Sequence, residues 1–186
     1  MATLDLKAPF TSDAREGMLT LLDGTTLPFR PIRPEDATAL QAFHQSLSEQ
    51  SVYLRFFGFV PELTAARARY FTHLDGTNRF ALVALDPAEQ ATIVAVVRYD
   101  RDADTDEAEY AAVVTDQWQG RGLGAALTDR LIVTARRQGI NHLYAIVLPE
   151  NQRMLHLFRA LHLPEHAALE DGSIRVDLDL SPRHPA

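Results

Sequence analysis

The sequence predicts a mixed α/β domain, a mostly antiparallel central sheet with helices on both faces. Three observations carry that expectation. β-branched runs separated by turn residues occupy 79–115; a strand, a glycine loop and an amphipathic helix follow at 108–138; and two further strand-like runs close the chain. A chain of 186 residues suits one such domain and can bury a sizeable core.

Residues 1–17 mix charges throughout and contain no apolar signal-peptide core. They are expected to form a flexible arm before a domain over 18–186. From Met18 the apolar run enters Asp23-Gly24, a hairpin signal, and Leu27 to Ile32 forms the second strand. Pro34-Glu35-Asp36 opens a helix continued by Leu40, Phe43 and Leu47. Ser51 to Phe59 is short, aromatic and basic, a helix or turn, and Pro61 starts another helix.

Arg79 to Leu85 and Thr92 to Tyr99 are strands separated by Asp86-Pro87, and Ala108 to Thr115 is the third of that series. Leu123, Leu127, Leu131 and Ala135 recur every fourth residue in a helix from Gly122 to Gln138, closed by Gly139. His142 to Leu148 is a strand, Asn151 to Leu161 a helix, with His156 and His162 expected on one helix as surface residues, and Asp171-Gly172 joins a last strand pair.

Composition narrows the function classes. With 18 Lys+Arg against 25 Asp+Glu, the charge of −7 argues against a nucleic-acid binder and permits a cationic partner. The absence of cysteine excludes disulfides, thiolate metal sites and a cysteine nucleophile. No apolar run is long enough to span a membrane, and the histidines lack H-E-x-x-H spacing, so no metal is expected. A cytoplasmic protein is expected, monomeric or homodimeric.

The segment Gln119-Gly120-Arg121-Gly122-Leu123-Gly124-Ala125 is the most informative. A glycine loop between a strand and a helix presents free N–H groups and the positive end of a helix dipole, which bind phosphate. Spacing alone leaves alternatives open. Gly120, Gly122 and Ala125 also fit G-x-G-x-x-A, with Glu150 where a ribose ligand would sit, but only 36 residues follow Glu150, too few for a doubly wound sheet. The absence of G-K-[ST] excludes a nucleoside triphosphate loop. Glycines that merely shape the turn are the remaining reading.

In context, Gln119, Gly122 and Gly124 form Q-x-x-G-x-G, which resembles the acyl-CoA pyrophosphate loop of the GNAT superfamily of N-acetyltransferases. Phe29-Arg30-Pro31-Ile32-Arg33-Pro34-Glu35-Asp36 resembles that family's entry strand and helix. Leu148-Pro149-Glu150-Asn151, with Met154, Leu157 and Phe158, is similar to its last strand and helix. Ser51-Val52-Tyr53-Leu54-Arg55-Phe56-Phe57 and Ala108-Glu109-Tyr110-Ala111 further resemble bacterial protein lysine acetyltransferases, which act on acyl-CoA synthetases and related proteins.

The resemblance implies acetyl-CoA as co-substrate and direct transfer to an amine. The best acceptor is a protein lysine; the alternatives are a polyamine or amino sugar, or a non-catalytic acyl-CoA sensor. A lysine amine, with a pKa of about 10.4, needs a base. Glu109, between Ala108 and Tyr110, is the candidate, with apolar neighbours expected to raise its pKa and an ordinary exposed glutamate as the other reading; Tyr110 is expected to point the other way into the core, and Glu107 is the fallback, expected in solvent.

The N–H groups of Val113 and Val114 would polarise the thioester if their strand splays from His142–Leu148. Gln119, Gly120, Arg121, Gly122, Leu123, Gly124 and Ala125 would hold the pyrophosphate, Gln119 and Arg121 with side-chain donors as well. Asn151 would sit near the cofactor arm, or simply cap a helix. Trp118 either stacks on adenine or packs the turn, and Arg55 borders the acceptor groove or only packs. Phe158 stands where many of these enzymes carry a proton-donating tyrosine, which leaves the general acid unassigned.

Overall fold

The computed structural model describes residues 15–181. β1 (Gly17–Thr20) and β2 (Thr26–Pro31) pair as a hairpin around Asp23-Gly24, where Gly24 adopts a φ of 82°. Gly17, expected in the arm, is already the first residue of β1; residues 1–14 lie outside the described ones.

Three helices follow a 3-10 turn at Pro34–Asp36: α1 (Ala37–Gln45), α2 (Glu49–Phe56) and α3 (Ala65–Thr72). The aromatic segment from Ser51 thus resolves as the body of α2, capped by Ser48 and stopped by Phe57, whose φ of 60° is left-handed. The helix expected from Pro61 starts four residues later, because Thr64 is the N-cap and accepts from the Arg67 N–H at 3.3 Å. Leu63 therefore precedes the helix and packs in the core.

The remaining elements are β3 (Arg79–Leu85), β4 (Ile93–Arg101), β5 (Glu107–Val114), α4 (Leu123–Arg137), β6 (His142–Val147), α5 (Gln152–Ala160), β7 (Glu165–Glu170) and β8 (Ser173–Asp179). His162 lies beyond α5 with a left-handed φ of 53°. The sheet order is β1-β2-β3-β4-β5-β6-β8-β7, antiparallel except for β5 against β6.

Two apolar layers explain why β3 and β4 read as continuous apolar runs. On one face Leu82, Val97 and Tyr99 pack with Leu123, Leu127 and Leu131 of α4. On the other, Ala81, Val83 and Val96 pack with Leu40, Phe43 and Ala68 of α1 and α3. Strands covered on both sides lose the alternation of a half-exposed strand. No helix of the described residues is long and apolar enough to cross a membrane.

Candidate active site

The parallel ladder between β5 and β6 holds only three register pairs, Glu107 with His142, Ala108 with Leu143, and Glu109 with Tyr144. Beyond them the strands part, and each then pairs only on its outer side, β5 with β4 and β6 with β8. The splay expected from the sequence is therefore present, and Glu109 marks its vertex.

Alternation along β5 decides which N–H groups enter the cleft. The Thr115 N–H donates to the Val94 carbonyl, and the Glu107 carbonyl accepts from the Asp102 N–H, so odd-numbered residues face β4. The N–H of Val113 is consequently turned to β4. The N–H groups of Ala112 and Val114 face the cleft instead. The side chain of Val113 still lines the adjoining groove.

That groove has a volume of about 560 Å³, within the range of ligand pockets. It gathers Val113, Val114, Gln119, Gly120, Gly122, Leu123, Gly124, Ala125 and Asn151, residues spread over 39 positions of sequence. Gly120 and Gly122 adopt left-handed φ values of 73° and 83°, which bend the chain from β5 into α4. A Cβ on Gly124 would lie 3.0 Å from Leu157 Cδ1 and 3.6 Å from Val114 Cγ2, so this glycine lets α4 approach α5 and β5. Leu123 offers only backbone to the groove; its side chain is in the core.

Several side chains are committed elsewhere. Arg121 donates to Asp23 Oδ2 at 2.7 Å and Thr25 Oγ1 at 2.8 Å, and lies 4.3 Å above the Trp118 ring. Hydrogen bonds from Thr25 and Arg121 hold the Asp23 carboxyl at about 2. The Arg121 guanidinium, expected to reach the pyrophosphate, is here engaged by the β1–β2 turn. Trp118 is buried under that guanidinium and packs the turn.

Gln119 Nε2 donates to the Val114 carbonyl at 2.8 Å and to Ser51 Oγ at 3.0 Å, while its Oε1 accepts from Arg153. Asn151 Oδ1 accepts from the Met154 N–H at 3.2 Å, the capping role. Both side chains build the groove through internal bonds.

Sequence reading missed the tie between the loop and α2. Asp116 accepts from the Ser48 N–H at 2.9 Å, Ser48 Oγ at 2.7 Å and Ser51 Oγ at 2.9 Å. Burial alone would raise the Asp116 carboxyl, but these bonds hold it below the usual range. The signal available was Ser48 as an N-cap; its partner 68 residues away carries none.

Around Glu109 the structure differs from expectation in two ways. Ala108 points with Tyr110 to the opposite, α4-covered face, so neither encloses the carboxylate, which is exposed. Glu107 is not a solvent residue: it pairs with Arg175, which also bonds Asp177 at 2.9 Å and lies 4.0 Å over the Tyr144 ring. Asp100 is held by Arg79 and Arg98, each at 2.8 Å. Among the described residues the Glu109 carboxylate accepts no hydrogen bond and forms no ion pair, unlike those of Asp100, Glu107 and Asp177 around it. Arg55 and Tyr144 feel its charge.

Phe158 is 1 % exposed and packs edge-on to Tyr110 at 5.6 Å. Tyr110 itself is hydrogen-bonded to Thr128 at 2.6 Å, and burial pushes its hydroxyl up, so neither supplies a proton to the cleft. No cluster of three or more metal-ligating side chains occurs among the described residues.

A splayed parallel pair above a glycine loop and helix N-terminus, with a free carboxylate at the vertex, defines an acyl-transfer fold. Residues 26–163 match the acetyltransferase (GNAT) domain model, and the chain belongs to that family of acyltransferases. It is 32% identical over 143 residues to acetyltransferase PA5475 of Pseudomonas aeruginosa, covering 76% of this chain and 77% of that protein. The GNAT domain of S. lividans PAT superposes with a TM-score of 0.83 at 36% identity, over 90% of this chain and 98% of that one. At 19% identity, yncA of Salmonella typhimurium, solved with its cofactor acetyl-CoA, shares the fold with a TM-score of 0.66, over 86% and 96% of the two chains.

Proposed function

We propose that this chain transfers an acetyl group from acetyl-CoA directly to a primary amine, a protein lysine side chain being the acceptor class the site fits best. The observation that carries the reading is the unpaired carboxylate of Glu109 at the point where β5 and β6 separate. A base needs an available lone pair, and the acids around it are tied to arginines.

Glu109 takes the proton of the acceptor ammonium, directly or through water. The Ala112 and Val114 N–H groups face the cleft and stabilise the developing oxyanion. The loop from Gly120 to Ala125 supplies backbone N–H groups and the positive end of α4 for the pyrophosphate. The amine nitrogen bonds to the carbonyl carbon and the carbon–sulfur bond breaks. A thiol pKa of about 8.5 makes thiolate a tolerable leaving group, with its proton returned by water.

The acceptor class is supported by the resemblance of 51–57 and 108–111 to protein lysine acetyltransferases, and by the free carboxylate at the vertex. Asp100 and, across β6, Asp177 share the face of Glu109 in register. A cytoplasmic location belongs to the same proposal.

The test is release of free CoA from acetyl-CoA against lysine peptides, an acyl-CoA synthetase, a polyamine and an amino sugar. Turnover with lysine acceptors above the small amines is expected. Faster turnover of a small amine would reassign the acceptor. No turnover with any amine despite tight acetyl-CoA binding would overturn the reading.

A further inference from the structure

A second, half-open chamber of about 40 Å³ lies between α1, α2 and the sheet, beside the larger groove. The two spaces share Val113 and Arg55 as lining residues, so the chamber adjoins the groove where β5 leaves the vertex. Its walls are largely apolar, but its polar groups are unusual. His44 is 4 % exposed, and neither ring nitrogen has a hydrogen-bond partner. Its ring stacks on Phe56 at 5.5 Å, and the Arg55 guanidinium lies 5.0 Å from the same ring.

The Arg55 guanidinium makes no hydrogen bond to any described residue, whereas that of Arg98, also in the wall, is held by Asp100. Burial, with Arg98 nearby, pushes Arg55 down to about 10. An imidazole and a guanidinium left bare against an apolar chamber lack a polar partner. A methyl or longer alkyl tail would leave both groups unsatisfied, and a cation would meet two arginines. A carboxylate would satisfy them.

We propose that this chamber receives the far end of the acyl donor, so that the chain accepts short acyl thioesters ending in a carboxylate, of succinyl size, besides acetyl. The inference rests on the acyltransferase reading above. The space holds about three water-sized groups, enough for the tail of such an acyl group. In the transfer the amine nitrogen bonds to the thioester carbon and the carbon–sulfur bond breaks with its electron pair on sulfur. The amine proton leaves through Glu109 and the sulfur is protonated by water. The distal carboxylate is unchanged.

The test compares calorimetric binding of acetyl-, butyryl- and succinyl-CoA to the full chain, with transfer to a lysine peptide. Wild type should prefer succinyl-CoA to butyryl-CoA by about tenfold or more, as hydrogen bonds to a charged group allow. Arg55→Met and, independently, His44→Phe should erase that preference. No preference in wild type, or a preference that survives both substitutions, overturns the inference. A parallel arm pairs acetyl-CoA with an amino acid and its decarboxylated amine. If Arg55→Met shifts that ratio while the succinyl-to-butyryl ratio stays unchanged, the carboxylate belongs to the acceptor and the inference fails. A wild type that turns over acetyl-CoA but does not recognise succinyl-CoA refutes this inference alone; a wild type that binds no thioester refutes the functional reading as well.

Discussion

Glu109 and Tyr144 are the last residues paired between β5 and β6, so the strand carrying the free carboxylate is held in register up to that residue and released immediately beyond it. The Glu109 carboxylate is therefore anchored at the vertex, while the Ala112 and Val114 N–H groups beyond it face the cleft.

Glu109→Gln is expected to lower transfer at neutral pH by about 10²-fold or more, the usual scale of general base catalysis, with acetyl-CoA affinity nearly unchanged. The residual rate should rise with pH as more amine loses its proton unaided. Steady-state CoA release and calorimetry on the same preparation decide it. Unchanged transfer at pH 7 would remove Glu109 from the mechanism.

Gly122→Ala places a Cβ at a φ of 83°. Left-handed backbone costs a non-glycine residue about 1–2 kcal/mol, which the loop can avoid only by changing shape. A fall in melting temperature of a few degrees, with weaker acetyl-CoA binding, is expected. Retained affinity would show that the loop geometry is not required. Gly124→Trp is a poorer probe, because its Cβ already meets Leu157 and α5 must move.

Arg121→Ala should change acetyl-CoA affinity by less than about threefold, because the guanidinium is bound to Asp23 and Thr25 and such exposed pairs are weak. A tenfold loss would mean that the side chain leaves the hairpin turn for the phosphates.

Phe158→Tyr is expected to give no gain in rate. The ring is buried in the core, and an added hydroxyl without a partner costs about 1–3 kcal/mol. Denaturant unfolding and CoA release measured together test this; a faster enzyme would show that the position reaches the leaving thiolate.

Burial and nearby Arg67 hold the His44 imidazole below its ordinary value. The fold therefore favours the neutral ring. Stability should be unaffected by this group above about pH 6.5, the unfolded value, and should fall as pH drops from there. Urea unfolding at pH 7.5 and 5.5 is expected to show a smaller loss for His44→Gln than for wild type; equal losses would refute it.

Much of the architecture was legible because its causes are local. Turn residues, β-branched runs and the fourfold apolar spacing of Leu123, Leu127, Leu131 and Ala135 each act within a few neighbours. The Q-x-x-G-x-G loop was legible for the same reason, since its glycines answer a local backbone demand at Gly120 and Gly122. Side-chain commitments were not. Arg121 meets Asp23 across 98 residues, Glu107 meets Arg175 across 68, and both pairings depend on how distant strands are placed.

By itself, the sequence determined the order of elements, the glycine loop, a carboxylate on the strand before it, and the absence of a cysteine nucleophile. Only the tertiary structure decided where β5 leaves β6, which N–H groups face the cleft, and which carboxylate stays free. Those outcomes depend on strand register and on competition among arginines from distant segments, and charges compete only where the fold has brought them together.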